Sequence, residues 1–150
     1  RMKDRPDTPA ELKARALRHL VRREHSRAEL ARKLAPHADS PESVQALLGE
    51  LQRRKQLCDE RFAEQRIHVM SRKYGAARIR RDLESKGVAP AIAQRVSREG
   101  ELERAAAILQ RKYRGAASTP KERARRARFL QGRGFSYEVI HRLVSSEEPS

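Results

Sequence analysis

Apolar residues recur along the chain at the three- and four-residue steps of an amphipathic α-helix. In the middle of the chain they stand at Ala63, Ile67, Met70 and Tyr74, which fall on one side of a helix. No stretch shows the strict alternation of apolar and polar residues that a half-buried strand requires. The pattern therefore predicts a protein that is helical from end to end.

Polar caps and glycines mark the helix boundaries. Residues 8–11, 26–29 and 119–122 each place a Ser or Thr three positions before a Glu, the capping box that satisfies free N–H groups at a helix N-terminus. Three further N-caps are expected at Ser40, Asp59 and Ser136. Helix ends with a left-handed backbone are expected at Gly75, Gly87, Gly100, Gly115 and Gly134.

The apolar spacing itself recurs, which indicates an internal repeat. The stripe from Ala63 to Tyr74 returns as Leu102, Ala106, Leu109 and Tyr113, with the same steps and the same kinds of residue. The third helix of each unit is expected to carry the pairs Val44/Leu48, Ile92/Val96 and Val139/Leu143. We place the repeats, of three helices each, at 8–57, 58–99 and 100–146.

The predicted fold is all-α, with three tandem three-helix repeats. A unit of this length cannot bury its apolar face alone, so neighbouring units should stack, and we expect an elongated, curved chain. A compact bundle of the same helices is the alternative. It is less favoured, because only 37% of the chain is hydrophobic and there is no Trp.

Composition adds a strong positive charge to this picture. The chain has 35 Lys and Arg against 20 Asp and Glu, a formal net charge of +15. Each third of the chain is separately basic, so the excess does not come from one tail. A charge of this kind favours a phosphate backbone or an acidic groove on a protein as the partner.

The residue patterns of catalysis and of cofactor binding do not occur. The five histidines have no metal-ligand spacing with carboxylates or with Cys58, the only cysteine, and no Gly-rich phosphate loop follows a strand. No apolar run is long enough to span a bilayer, and no cleavable signal precedes the first helix. We therefore expect a cytoplasmic, monomeric binding protein that is not an enzyme and has no cofactor or metal.

Three windows without any acidic residue, 65–81, 104–121 and 123–137, hold the candidate binding residues. Arginine predominates in them, and its planar guanidinium suits bidentate contact with carboxylate or phosphate. The candidates for contact with a partner or with nucleic acid are Arg72, Lys73, Arg78, Arg80, Arg81, Arg111, Lys112, Arg114, Arg123, Arg125, Arg126, Arg128 and Arg133.

The helical pattern also predicts how some of these side chains are placed. Four of them are expected to face solvent: Arg78, Arg81, Arg125 and Arg128. Arg126 stands where the earlier repeats have Leu30 and Ile79, so either its stem packs inside with its head in water, or a partner covers that face. Tyr74 and Tyr113 are expected in the core, and Tyr137 is expected to be free to stack.

A helix-turn-helix reader of DNA sequence is the main competing interpretation, since it is also built from three-helix units. The chain contains no Asn, and its glutamines do not gather on one candidate recognition helix. Contact with a nucleic-acid backbone or with a protein groove is therefore favoured over the reading of bases.

Four segments of the chain together resemble the RecX proteins, bacterial regulators of the RecA recombinase. They are residues 20–30, 59–63, 78–83 and 128–137, of which the last, RFLQGRGFSY, is the most specific. The resemblance implies tandem three-helix repeats that bind in the helical groove of the RecA filament on single-stranded DNA. It also implies suppression of ATP hydrolysis, strand exchange and repressor cleavage. The alternative is a nucleic-acid-binding protein that touches the DNA backbone directly and acts by occupying DNA.

Overall fold

The computed structural model describes residues 5–145. Over that range the chain forms nine α-helices and no β-strand, which confirms the predicted all-helical fold. The helices are α1 (Pro9–Arg22), α2 (Arg27–Leu34), α3 (Pro41–Arg53), α4 (Asp59–Met70), α5 (Ala76–Ser85), α6 (Pro90–Ala93), α7 (Glu101–Lys112), α8 (Pro120–Gly132) and α9 (Tyr137–Ser145). None of the described helices has the length and apolar character needed to cross a membrane.

The described residues fall into two compact units. The first comprises the chain up to Gln65 together with Glu84–Ile92, and the second comprises Arg66–Leu83 together with the chain from Ala93 onward. The boundaries of the three predicted repeats stay a prediction. Position 146, where the third repeat is predicted to end, lies outside the described residues.

Leucines from three helices form the core of the first unit. Its buried members include Leu12 of α1, Leu30 and Leu34 of α2, and Leu48 and Leu51 of α3. A helix buries such a stripe only if its neighbours cover it, so these three short helices stabilise one another through packing.

Two complete capping boxes hold the helix starts of this unit. Thr8 and Glu11 exchange hydrogen bonds at the start of α1, and Ser26 and Glu29 do so at the start of α2. The prediction that Asp59 caps its own helix is wrong. Asp59 is already helical, and its Oδ1 accepts the N–H of Arg27 at 2.7 Å, so it stabilises the start of α2 instead.

The turn between α1 and α2 contains a buried histidine. His25 is 1% exposed, its Nδ1 lies 3.1 Å from the carbonyl oxygen of Arg23, and its Nε2 lies 2.9 Å from the Nζ of Lys33. Burial lowers the pKa of His25, and the positive charges of Arg23 and Lys33 act in the same direction. The imidazole is therefore held as a neutral group.

Apolar residues from α7, α8 and α9 form a core in the second unit. Ala105, Ile108 and Leu109 of α7 pack with Leu130 of α8 and Ile140 of α9.

The inward face of α7 differs from the predicted stripe. Leu102, Ala106 and Tyr113 are only half-buried, whereas Glu101 and Ala105 are buried. The reason is a tertiary hydrogen bond: Oε1 of Glu101 accepts the N–H of Ala76, the first residue of α5, at 2.8 Å.

Two glycines allow α5 and the α8–α9 turn to approach closely. The N–H of Gly75 donates to the carbonyl of Arg133 at 2.7 Å, and a Cβ on Gly75 would lie 2.5 Å from the carbonyl oxygen of Gly134. Gly134 has a φ of +88°, and a Cβ on it would lie 2.4 Å from the Cβ of Arg78. Side chains at these two positions would force the backbones apart.

Three other boundary predictions need correction. Gly75 does not have a left-handed backbone. A glycine stands there because of the close approach just described. Gly100 is left-handed, with a φ of +77°, but it begins α7 as its N-cap rather than ending a helix. The helix expected around Ile92 and Val96 covers only Pro90–Ala93, and Val96 is buried beyond its end.

Candidate partner-binding surface

A basic groove opens in the second unit, between the C-terminal end of α4, α7 and α8. It encloses about 840 Å³. Its cationic lining consists of Arg72, Lys73, Arg104, Arg111, Lys112 and Arg133, with His68 beside them. Among residues 5–145, no carboxylate side chain lines it. We call this set of residues the basic groove.

Residues on one face of α7 form one wall of the groove. Arg104, Ala107, Ile108 and Arg111 follow one another at steps of three, one and three residues, so they share one face of the helix. Ala107, Ile108 and, from α8, Phe129 supply the apolar part of the lining. The groove thus combines cationic edges with an apolar floor.

Backbone carbonyls hold three of the guanidinium groups. Arg111 Nη2 donates to the carbonyl of Arg72 at 2.8 Å, and Arg133 Nη1 donates to the carbonyl of Lys73 at 3.2 Å. Arg104 Nη1 donates to the carbonyl of Glu99 at 3.1 Å, and its buried Nε has no hydrogen-bond partner among the described residues. A carbonyl positions a guanidinium but does not neutralise it, so the positive charge of the groove persists.

Ion pairs neutralise some of the cations elsewhere. In the first unit, six cations meet carboxylates, in the pairs Arg5–Glu11, Lys13–Glu50, Arg15–Asp7, Arg23–Glu29, Arg54–Glu50 and Arg61–Glu24. In the second, Arg66 pairs with Asp82. Within the described residues, none of the six Lys and Arg of the basic groove forms such a pair. The groove is therefore a concentration of unneutralised charge.

The groove gathers five of the thirteen candidate residues: Arg72, Lys73, Arg111, Lys112 and Arg133. Arg104 belongs with them and was absent from the candidate set. The signal that could have found it is its seven-residue spacing from Arg111, which puts both guanidinium groups on one helical face.

The other candidates lie outside the groove lining. Arg81, Arg114, Arg125 and Arg128 are exposed, and Arg80 and Arg123 are half-buried. The expectation that Arg78 faces solvent is wrong. Arg78 is half-buried, its Nη1 donates to the carbonyl of Gly132 at 3.0 Å, and its guanidinium lies 4.7 Å from the centre of the Tyr74 ring.

Arg126 is a structural residue whose head is inside the protein. It is only 6% exposed, and its guanidinium donates to the carbonyls of Gly115 at 2.9 Å and Arg114 at 3.4 Å. The same group lies 4.8 Å from the centre of the Tyr113 ring. Of the two alternatives for Arg126, a head in water is therefore wrong, because these carbonyls and this ring take the place of water. A partner that covers this face stays a prediction.

The tyrosines follow the prediction only in part. Tyr74 and Tyr113, expected in the core, are only half-buried, and guanidinium groups lie over both rings. Tyr137 is 78% exposed and stacks on His141, with ring centres 5.7 Å apart.

Fold and surface together define a class: a tandem three-helix-domain protein whose second unit presents an unneutralised cationic groove. The family model of the second three-helix domain of RecX matches residues 59–96, and that of the third matches residues 99–144. The chain belongs to the RecX family.

Relatives and solved structures agree with this assignment. The regulatory protein RecX of Leptothrix cholodnii is 44% identical over 89% of this chain and 87% of the relative. That of Herbaspirillum seropedicae is 45% identical over 90% of each chain. The crystal structure of RecX from Lactobacillus salivarius superposes with a TM-score of 0.77 at 19% identity, covering 93% of this chain and 96% of that one. The last likeness supports the fold.

Proposed function

We propose that this chain is a negative regulator of the RecA recombinase. It binds in the groove of the RecA–DNA filament and inhibits ATP hydrolysis, strand exchange and the co-protease activity. Family membership supports a regulatory role, since the relatives are named regulatory proteins. The observation that carries the proposal is the basic groove, whose six unpaired Lys and Arg form a surface suited to a polyanionic assembly.

The binding energy is spread along the chain in this proposal. Exposed arginines outside the groove, such as Arg81 and Arg128, add contacts to those of the groove. Several weak contacts on one chain strengthen one another through effective concentration. No single substitution should then abolish inhibition.

Direct binding to nucleic acid is the second candidate function. The exposed Tyr137–His141 stack supports it, since bases stack on aromatic rings of this kind. In this case the protein inhibits by occupying DNA, and its affinity for a bare strand should fall steeply and linearly with salt on logarithmic axes.

One experiment separates the two functions. Binding to bare single-stranded DNA and to a RecA-coated strand is measured at the same salt, together with the concentration that halves DNA-dependent ATP hydrolysis. The regulator function predicts preference for the coated strand. Equal affinity for both strands, with inhibition that follows bare-strand occupancy, would support the second function instead.

Charge reversals test which surface acts. Arg72→Glu with Lys112→Glu in the groove, and Arg81→Glu with Arg128→Glu outside it, should each raise the half-inhibitory concentration about tenfold, which corresponds to roughly 1.4 kcal/mol. The combined variant should be weaker still. Arg18→Glu with Arg22→Glu, two exposed residues outside the candidate set, is the matched control. Inhibition by the combined variant that equals the control would contradict this site assignment.

A further inference from the structure

We infer that the basic groove binds a carboxylate-rich peptide segment of its protein partner, with an apolar side chain of that segment on the groove floor. The inference rests on the proposed function and specifies which component of the filament the groove contacts. It is the protein and not the DNA strand.

The charges of the groove fit carboxylates. Its six Lys and Arg have no ion-pair partner among the described residues, and four of them are arginines. Arg111 and Arg133 are each anchored through one N–H to a backbone carbonyl. A guanidinium has five N–H donors, so the anchored groups keep donors for a ligand. Because they are already held in place, binding costs less side-chain entropy.

The floor of the groove distinguishes a peptide from a sugar–phosphate backbone. Ala107 and Ile108 form an apolar strip between the cations. An aliphatic side chain of a peptide gains free energy by covering such a strip, at roughly 25 cal/mol per Å² of apolar surface removed from water. A nucleic-acid backbone offers charged phosphates and small sugars without an aliphatic side chain, so it covers less of the strip.

Cations already lie over the aromatic rings near the groove, which disfavours the stacking of bases on those rings. Lys112 Nζ lies 5.4 Å and Arg133 Cζ 4.8 Å from the centre of the Phe129 ring, and Tyr113 meets that ring edge-on. The Tyr74 ring carries Arg78 and Arg133 in the same way. A nucleic-acid base would have to displace these cations before it could stack, and single-strand binders depend on such stacking.

The test uses two labelled probes and the intact protein. One is a peptide of about ten residues, rich in Asp and Glu, with one central Leu, and the other is a thymidine oligonucleotide of equal charge. Fluorescence anisotropy measures both affinities at the same salt. The peptide should bind at least about tenfold more tightly than the oligonucleotide, and a peptide with Ser in place of the Leu should bind about fivefold more weakly. Equal affinity for both peptides, or tighter binding of the oligonucleotide, would overturn the inference.

Variants assign the binding to the groove. Arg72→Glu with Lys112→Glu should lower peptide affinity about tenfold or more. Arg18→Glu with Arg22→Glu makes an identical change in charge on α1, and it should lower peptide affinity less than about threefold, because only the net charge of the protein changes. Both variants change exposed residues, and circular dichroism checks that they fold. Equal losses in the two variants would show that the peptide senses only net charge, and would refute a groove.

The RecA assay keeps this inference separate from the proposed function. If the parent protein inhibits RecA but the groove variant inhibits equally well and the peptide does not bind, the inference fails and the proposed function stands. If the peptide binds the groove and RecA is not inhibited at all, the proposed function fails and the groove chemistry stands.

Discussion

Replacing Gly134 by alanine tests the closest backbone approach in the second unit. Gly134 has a φ of +88°, and the added Cβ would lie 2.4 Å from the Cβ and 2.6 Å from the backbone N of Arg78. A left-handed backbone costs a residue with a Cβ about 1–2 kcal/mol. Overpacking against backbone costs about 1–3 kcal/mol more. Gly134→Ala should therefore lower the free energy of unfolding by about 2–5 kcal/mol.

Two other glycines separate these contributions. Gly115 is also left-handed, with a φ of +63°, but no atom lies within 4 Å of its added Cβ. Gly115→Ala should cost only the backbone contribution of about 1–2 kcal/mol. Gly132, the last residue of α8, is not left-handed and has the same open space. Gly132→Ala should be neutral or stabilising by up to about 1 kcal/mol.

Urea denaturation followed by far-UV circular dichroism measures all three variants against the parent. From most to least stable, the expected order of the variants is Gly132→Ala, then Gly115→Ala, then Gly134→Ala. If Gly134→Ala and Gly115→Ala agree within about 0.5 kcal/mol, the contact with Arg78 relaxes without cost. The reasoning from close approach would then be refuted, and Gly134 would be required for its backbone conformation alone.

Two further predictions concern buried polar side chains. Arg126→Met keeps the length of the stem but removes the donors to the carbonyls of Arg114 and Gly115, so the free energy of unfolding should fall by about 1–3 kcal/mol; unchanged stability in urea would contradict a structural role. Burial lowers the pKa of His25 in the folded state, so protonation favours the unfolded chain. Stability should be full above the unfolded pKa of about 6.5 and should fall as the pH drops from there toward the lower folded pKa. His25→Gln should flatten this dependence of the denaturation midpoint on pH, and an equal slope in both proteins would show that His25 is not its source.

Features whose interactions are local could be predicted from the chain alone. The capping boxes at Thr8 and Ser26 join residues three positions apart, so their hydrogen bonds depend on little beyond helix formation. The cap at Ser136 belongs to the same class, since its Oγ accepts the N–H of Val139 at 3.3 Å. The seven-residue spacing of Arg104 and Arg111 likewise places two cations of the groove on one face of α7.

Long-range contacts explain where the prediction failed. Asp59 looks like the cap of its own helix, but its carboxylate reaches the N–H of Arg27, far away along the chain. The buried face of α7 differs from the predicted stripe because Glu101 accepts a hydrogen bond at the start of α5. In each case the partner of the carboxylate lies in a different helix, so only the packed structure determined the contact.

The sequence by itself determined the helices, the repeat and the positive charge, because each depends on residue type and on spacing within a few turns. Only the tertiary structure decided which arginines remain available. Arg78 and Arg126 are both candidate partner contacts by sequence, yet folding brings backbone carbonyls to their guanidinium groups. Arg72 and Arg133 lie far apart in sequence and join one groove, where Arg133 donates to the carbonyl of Lys73. Because a guanidinium carries five donors, packing brings some arginines into hydrogen bonds with backbone carbonyls of the fold and leaves the others to a partner.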